Sequence, residues 1–332
     1  MKFKSLLLIA FISNVVFFNT ACKRDSKSCI YPYVSENIEV PEDVFRPGGG
    51  SSGMVQISDN QYLTVYDLKR FEDGPRMGLV TILPDDLKVD PLEVTGWDET
   101  GISSDLESIC AIPGKANQFL MAESGAWQEN TGRIFHVRLD TSNCTVTVLG
   151  HFNIPEIHPN DFGVVGDQYE AMLCLPYEEE KVIVILGERG GSEVNPKGII
   201  RWGVADMESY ELAIEGAGLK GIQVSAPGEW TQETHRHITD FFIDEKGFLW
   251  TAGCEDVGDL GPFYSVIYKA GMLNKNNTDL PIDTSIDCLT YKVIDGFKIE
   301  ALSGSAAGID ATHSFGTEDE LFGGVWRPVN IK

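Results

Sequence analysis

The feature that most constrains this chain is a hairpin-like stretch that recurs along it. In DLESICAIPGKANQFLMAESGAW, Asp105 to Trp127, two apolar runs flank a Pro-Gly turn, with Glu107 near the start of the first and Glu123 at the end of the second. Apolar runs of this length bounded by turn residues read as strands. The pattern returns in QYEAMLCLPYEEEKVIVILGERGG from Gln168, opened by Glu170 and closed by Glu188. It returns in HITDFFIDEKGFLWTAGCEDVG from His237, opened by Thr239 or Asp240 and closed by Glu255. SSGMVQISDNQYLTVYDLK from Ser51 is an earlier copy, opened by Ser52 and closed by Asp67. A less regular copy, KIEALSGSAAGIDATHSFGTEDELFGG from Lys298, is opened by Glu300 and closed by Glu318.

Repetition of one supersecondary unit is the signature of solenoids and propellers. The opening positions are about 55 to 69 residues apart, longer than the ~40–50 of common propeller repeats. Each hairpin is followed by more strand-like sequence, such as RIFHVRLD from Arg133, GIIRWGVAD from Gly198 and YSVIYKAGML from Tyr264. Amphipathic helices are few, with a short one expected within Tyr210 to Gly218. Four short strands per unit, five times over, predict an all-β fold, a β-propeller of five blades with four antiparallel strands each. The last unit reaches the chain end after three strands, so Ile38 to Phe45 is expected to supply the fourth and close the ring. A six-bladed ring and a β-sandwich with long loops are the alternatives.

In an antiparallel hairpin the start of the first strand lies beside the end of the second, so Glu107 and Glu123 are expected at one edge. If first strands line a central channel, Ser52, Glu107, Glu170, Thr239 and Glu300 converge on one axis. Asp67, Glu123, Glu188, Glu255 and Glu318 would surround that mouth. Carboxylates so close repel, and must take up protons or bind a cation. An all-oxygen ring suits Ca2+ first and Mg2+ second. Taken singly, each glutamate is better explained as a strand-edge cap in solvent.

The order Ser, Glu, Glu, Thr, Glu at the starts of five innermost strands, with LESICAIP, YEAMLCLP, ITDFFID and KIEAL as local echoes, resembles the soluble calcium-activated nucleotidases, or apyrases. That resemblance implies a five-bladed propeller with calcium in its channel, bound at Ser52, Glu107, Glu170, Thr239 and Glu300. A second resemblance, carried by the Glu-containing first strands and by GTEDELFGG from Gly316, is to the esterase-like and phytase-like propellers of exported bacterial proteins.

The N-terminus adds a location. Lys2 and Lys4 precede an apolar run from Ser5 to Phe18, too short for a comfortable bilayer span, which ends at Ala21-Cys22. This resembles a bacterial lipoprotein signal with Cys22 as the lipidated residue, although Asn19 replaces the usual leucine. The expected division is a signal peptide over 1–22, a tether over 23–37 and one propeller domain over 38–332. Export, to the periplasmic or surface side of the envelope, and a membrane association through lipid alone follow. Six further cysteines, Cys29, Cys110, Cys144, Cys174, Cys254 and Cys288, contain no C-x-x-C pair, which argues against a thiolate zinc site.

Fifty acidic against 26 basic residues, a formal charge of −24, argue against nucleic acid as a partner. No HExxH pair, Walker loop or EF-hand loop is present. His235 and His237 in THRH alternate, so in a strand they share a face. The chemistry expected is metal-dependent hydrolysis of a phosphate ester or anhydride. Glu123, Glu188 or His235 would move the proton, and Arg189 and Arg236 would grip the phosphorylated substrate. Trp127, Trp230 and Trp326 are aromatic candidates for the mouth. The alternative is a non-catalytic propeller with a structural cation that binds a glycan, a peptide or a protein.

Overall fold

The computed structural model describes residues 50–69, 74–84, 86–99, 101–125, 132–155, 168–193, 195–230, 234–255, 257–275, 277–285 and 290–331. The signal-like segment with Cys22, the tether and the strand expected at Ile38 to Phe45 lie outside them, as does Trp127.

The described residues are all-β apart from two short helical turns, Gly216–Lys220 and Glu320–Phe322. Strands β1 (Gly53–Ser58), β2 (Gln61–Val65), β3 (Met77–Ile82) and β4 (Leu87–Thr95) form an antiparallel meander. A second meander follows: β5 (Leu106–Ala111), β6 (Gln118–Glu123), β7 (Arg133–Asp140) and β8 (Thr145–Asn153). The two join into one eight-stranded sheet because β4 and β8 pair in parallel. The third sheet holds β9 (Tyr169–Glu178), β10 (Lys181–Glu188) and β11 (Gly198–Asp206), with β12 (Glu211–Ala213) and β13 (Ile222–Val224) both on β11. Between β12 and β13 lies α1 (Gly216–Lys220). The helix expected over Tyr210 to Gly218 is thus a strand at 211–213 followed by one helical turn. The sheet edge at Val204 to Asp206 recruits the first half, a tertiary pairing that overrides local propensity.

In the fourth sheet β14 (His235–Arg236) and β15 (Phe241–Ile243) both pair with β16 (Phe248–Glu255). β17 (Tyr264–Leu273) follows, flanked by β18 (Ile282–Asp283) and β19 (Tyr291–Asp295). The last sheet has β20 (Ile299–Gly304), β21 (His313–Thr317) and β22 (Trp326–Val329).

Successive first strands pack against one another: β1 on β5, β5 on β9, β9 on β15, β15 on β20, and β20 back on β1. The cores follow the same circuit. Leu63 and Met77 pack with Phe119 and Phe135, and Leu120 and Ile134 with Tyr169 and Met172. Ile185 and Ile200 pack with Phe241 and Leu249, Trp250 and Ile267 with Leu302 and Phe315, and Ala301 and Ala306 with Met54 and Tyr62. Sheets arranged radially, with apolar cores between neighbours and first strands innermost, make a β-propeller. The inner ring is tight. A Cβ on Gly53 would lie 2.7 Å from the Cα of Ser108, so β1 approaches β5 only because position 53 has no side chain.

Candidate functional site

Three of the opening glutamates share one local device. Leu106 and Ser108 pair with Glu123 and Ala122, which leaves Glu107 as the unpaired residue of a β-bulge. Glu170 in β9 and Glu300 in β20 are skipped in the same way. A bulge re-aims a side chain at a sheet edge, and here it does so three times at the inner start of a blade. All three glutamates are buried. Ser52, just before β1, and Thr239, just before β15, are buried too, and their hydroxyl oxygens have no hydrogen-bond partner among the described residues. Buried polar atoms normally have one.

Basic side chains enter this centre unevenly. Arg236 Nη1 lies 3.2 Å from Glu300 and 3.6 Å from Glu170, and Arg189 Nη1 is 3.5 Å from Glu170. Lys298 Nζ lies 3.1 Å from Glu300 and 3.2 Å from Glu318, and also reaches Glu320. Among the described residues no basic group is within ion-pair distance of Glu107. Its carboxyl is pushed well above the ordinary range by burial and then by the charges of Glu170 and Glu300. Burial raises Glu170 as well, with Arg236 and Arg189 only partly offsetting it. At Glu300 burial is outweighed by Lys298 and Arg236 together, which hold the carboxyl below its usual value. Oxygens of Asp67, Asp105 and Glu107 lie within 4.8 Å of one another. Burial, then Glu300 and Asp105, lift Asp67 to about 6. Lys69 sits 3.3 Å from Asp105. An all-oxygen donor set, two orphaned hydroxyls and an uncompensated Glu107 fit a hard cation. The arginine and lysine contacts of Glu170 and Glu300 show that those two carboxylates are shared.

Beside this centre is a cavity of ≈110 Å3 lined by Arg189, the Gly190–Ser192 turn, Thr234, His235 and Arg236. The turn lies hard against β14. Gly191 has φ +93°, and a Cβ there would sit 1.6 Å from the His235 carbonyl oxygen. His235 and His237 do share a face, with Nε2 atoms 3.0 Å apart. Burial, then the neighbouring His235, lower His237 to about 4, against the Pro196 carbonyl. Thr234 Oγ1 donates to Glu255 at 2.6 Å, which draws that closing glutamate to the cavity rim.

The remaining sequence candidates separate. Asp67 and Glu318 join the carboxylate centre. Glu123 and Glu188 are withdrawn from it. Glu123 is fully buried and accepts from Arg133 Nε at 2.9 Å and Nη2 at 2.6 Å, from the Arg133 amide at 3.0 Å and from the Ser104 amide at 3.0 Å. Glu188 is fully buried and bound by Arg201 Nε. Both carboxylates are committed inside a blade. Trp230 packs beside His235, whereas Trp326 packs on Tyr62 between sheets. Cys110, Cys144, Cys174 and Cys254 are unbridged. Sequence reading missed Asp105 and Lys298, each two residues before a bulge glutamate, a spacing that the repeat does contain.

No protein-family model matches the sequence, and no curated protein does. Solved structures of similar shape include a proposed exo-beta-1,3-galactanase from Bifidobacterium bifidum s17, at 10% identity over 93% of this chain and 96% of that one, TM-score 0.43. A luciferin-regenerating enzyme matches at 12% identity over 86% and 93%, TM-score 0.39. A thermostable family-43 glycoside hydrolase matches at 11% over 86% and 90%, TM-score 0.42. At these scores the resemblance carries nothing about chemistry.

Proposed function

We propose that this protein is an exported, lipid-anchored propeller of five blades that hydrolyses a phosphate ester or anhydride with the help of a hard cation. The five interblade cores and the closed circuit of first strands support the blade count. Ser52, Glu107, Glu170, Thr239 and Glu300 would hold the cation, Ca2+ before Mg2+. Once bound, it would polarise phosphate oxygens. One observation carries the reading: a cavity lined by Arg189, Arg236 and His235 opens against a buried carboxylate centre with two unsatisfied hydroxyls. Guanidinium groups suit phosphate. Glu123 and Glu188, tied to arginines, have no part in the proton transfer, which falls to His235.

That same withdrawal favours a second reading, a non-catalytic propeller with a structural cation, because it removes two carboxylate bases. One experiment separates them. The full chain is melted with calcium and with chelator, and screened for hydrolysis of nucleotides and simple phosphate esters. A rise of several degrees in calcium, lost in Glu107→Gln, with calcium-dependent turnover, is expected. The rise should be larger above pH 7 than below pH 6, because the Asp67 carboxyl, lifted to about 6, must first release its proton to solvent before its charge can favour the cation. Stabilisation without turnover selects the binding protein, and no stabilisation at any calcium concentration overturns the cation site.

A further inference from the structure

Two cysteines far apart in the chain meet in the core between the second meander and the third sheet. Side chains alternate along a strand, and here the alternation sorts them between two cores. In β5, Ile109 packs toward the first meander, whereas Cys110 faces the third sheet. In β9, Ala171 packs toward the fourth sheet, whereas Met172 and Cys174 face the second meander. The cross-strand partners of the two cysteines, Leu120 and Val184, lie in the same core. Both thiols are buried, and they are within hydrogen-bond reach of each other. The other described cysteines lie elsewhere: Cys144 packs against the core between the first two meanders, and Cys254 is in β16 of the fourth sheet.

A disulfide needs two cysteines whose side chains point at one another, and thiols in hydrogen-bond contact from two facing strands supply that approach. Burial, then the hydrogen bond with Cys174, pushes the Cys110 thiol well above its ordinary range. Little of the reactive thiolate is therefore present once the interface has closed, and oxidation belongs to the stage at which β5 and β9 are still docking. The Cys174 thiolate attacks one sulfur of a disulfide oxidant such as glutathione disulfide. A mixed disulfide forms and one glutathione thiolate leaves. The Cys110 thiolate then attacks the Cys174 sulfur and expels the second. The two protein thiols lose two electrons and two protons. The oxidant takes up the electrons, and the protons end on the two glutathione thiols.

We propose that Cys110 and Cys174 form a disulfide that locks β5 to β9 whenever the chain folds in the presence of a disulfide oxidant. The same two strands carry Glu107 and Glu170 at their inner starts, so the bridge also fixes the supports of two glutamates of the carboxylate centre. That the chain meets such an oxidant in the cell rests on the export reading above. The pairing itself does not, so the test supplies the oxidant. The full chain is reduced, unfolded and refolded in a mixture of reduced and oxidised glutathione. The soluble product is alkylated, cut with trypsin and a glutamate-specific protease, and analysed by mass spectrometry. These cuts put the two cysteines on separate peptides, residues 108–115 and 171–178, which hold no other cysteine. The two peptides should appear joined. The bridged chain should melt about 5–10 °C above the reduced one. Cys110→Ala and Cys174→Ala should each erase that difference, and Cys144→Ala should keep it. Recovery of both peptides alkylated, or joined to other cysteines, overturns the proposal. So does a bridged wild-type chain that melts with the reduced one, whatever the fate of the alanine variants. A bridge that forms in glutathione but is absent from protein taken from the cell envelope upholds the pairing and counts against the export reading alone.

Discussion

At the scale of the residue, the contrast between Glu107 and Glu123 shows what one position in a ladder decides. Both end an apolar strand at the same edge, and Glu123 pairs across to Leu106, the residue beside Glu107. The bulge leaves Glu107 out of the ladder and in the carboxylate centre, while Glu123, in register, turns to Arg133. Glu188 and Arg201 repeat that arrangement in the next blade, with side chains 1% and 0% exposed. Breaking a buried pair by removing one charge strands the other. Glu188→Gln should therefore lower stability by about 3–5 kcal/mol in chemical denaturation while leaving the calcium response intact. Unchanged stability, with turnover lost, would return Glu188 to the active site. Alternation and spacing made both kinds of glutamate legible in the sequence. Which of them met an arginine was not, because Arg133 and Arg201 lie on third strands whose register no local pattern fixes.

At the scale of the element, the outer strands explain how the first two sheets manage their edges. An unpaired edge is a template for aggregation. Here Glu93, Val94 and Thr95 of β4 pair in parallel with Thr145, Val146 and Thr147 of β8, so each outer strand covers the other. The Glu93 amide donates to the Cys144 carbonyl at 3.3 Å just outside that ladder. The Glu93 side chain is exposed, so Glu93→Pro tests the backbone alone. It removes the donor, costs about 1 kcal/mol, and should speed amide exchange on both sides, at 93–95 and 145–147. Exchange confined to β4 would mean that the junction contributes nothing to the second sheet. Hairpins from Ser51 onward were readable because period-two apolar patterns persist through them. This parallel junction was not, since its partners are about fifty residues apart and neither carries a turn or motif that announces it.

At the scale of the whole molecule, Asp240 ties the ring together. Its carboxylate accepts from the Phe241 amide at 2.8 Å, the Leu302 amide at 2.8 Å and the Met54 amide at 3.3 Å. It thereby joins β1, β15 and β20 where the last sheet meets the first. Burial pushes its carboxyl well above the usual range, against the three amides that favour the charged form. A neutral acceptor should serve almost as well. Asp240→Asn should stay within about 1 kcal/mol of wild type, whereas Asp240→Ala, which orphans two interblade amides, should cost about 3 kcal/mol. Equal losses in a denaturant titration would show that charge, and not acceptance, matters at this point.

The sequence by itself determined the all-β class, the repeated hairpin and the positions of the bulge glutamates, because strand periodicity and turn chemistry are local and need no partner to be read. Tertiary structure alone decided which carboxylates stay together. Arg236 and Arg189 reach Glu300 and Glu170 from other segments, Lys298 adds to Glu300 from two residues away, Arg133 and Arg201 remove Glu123 and Glu188, and Glu107 meets no counter-charge among the described residues. Charge compensation depends on distances of a few ångströms, and only strand register within a blade and the packing of blades around the ring set those.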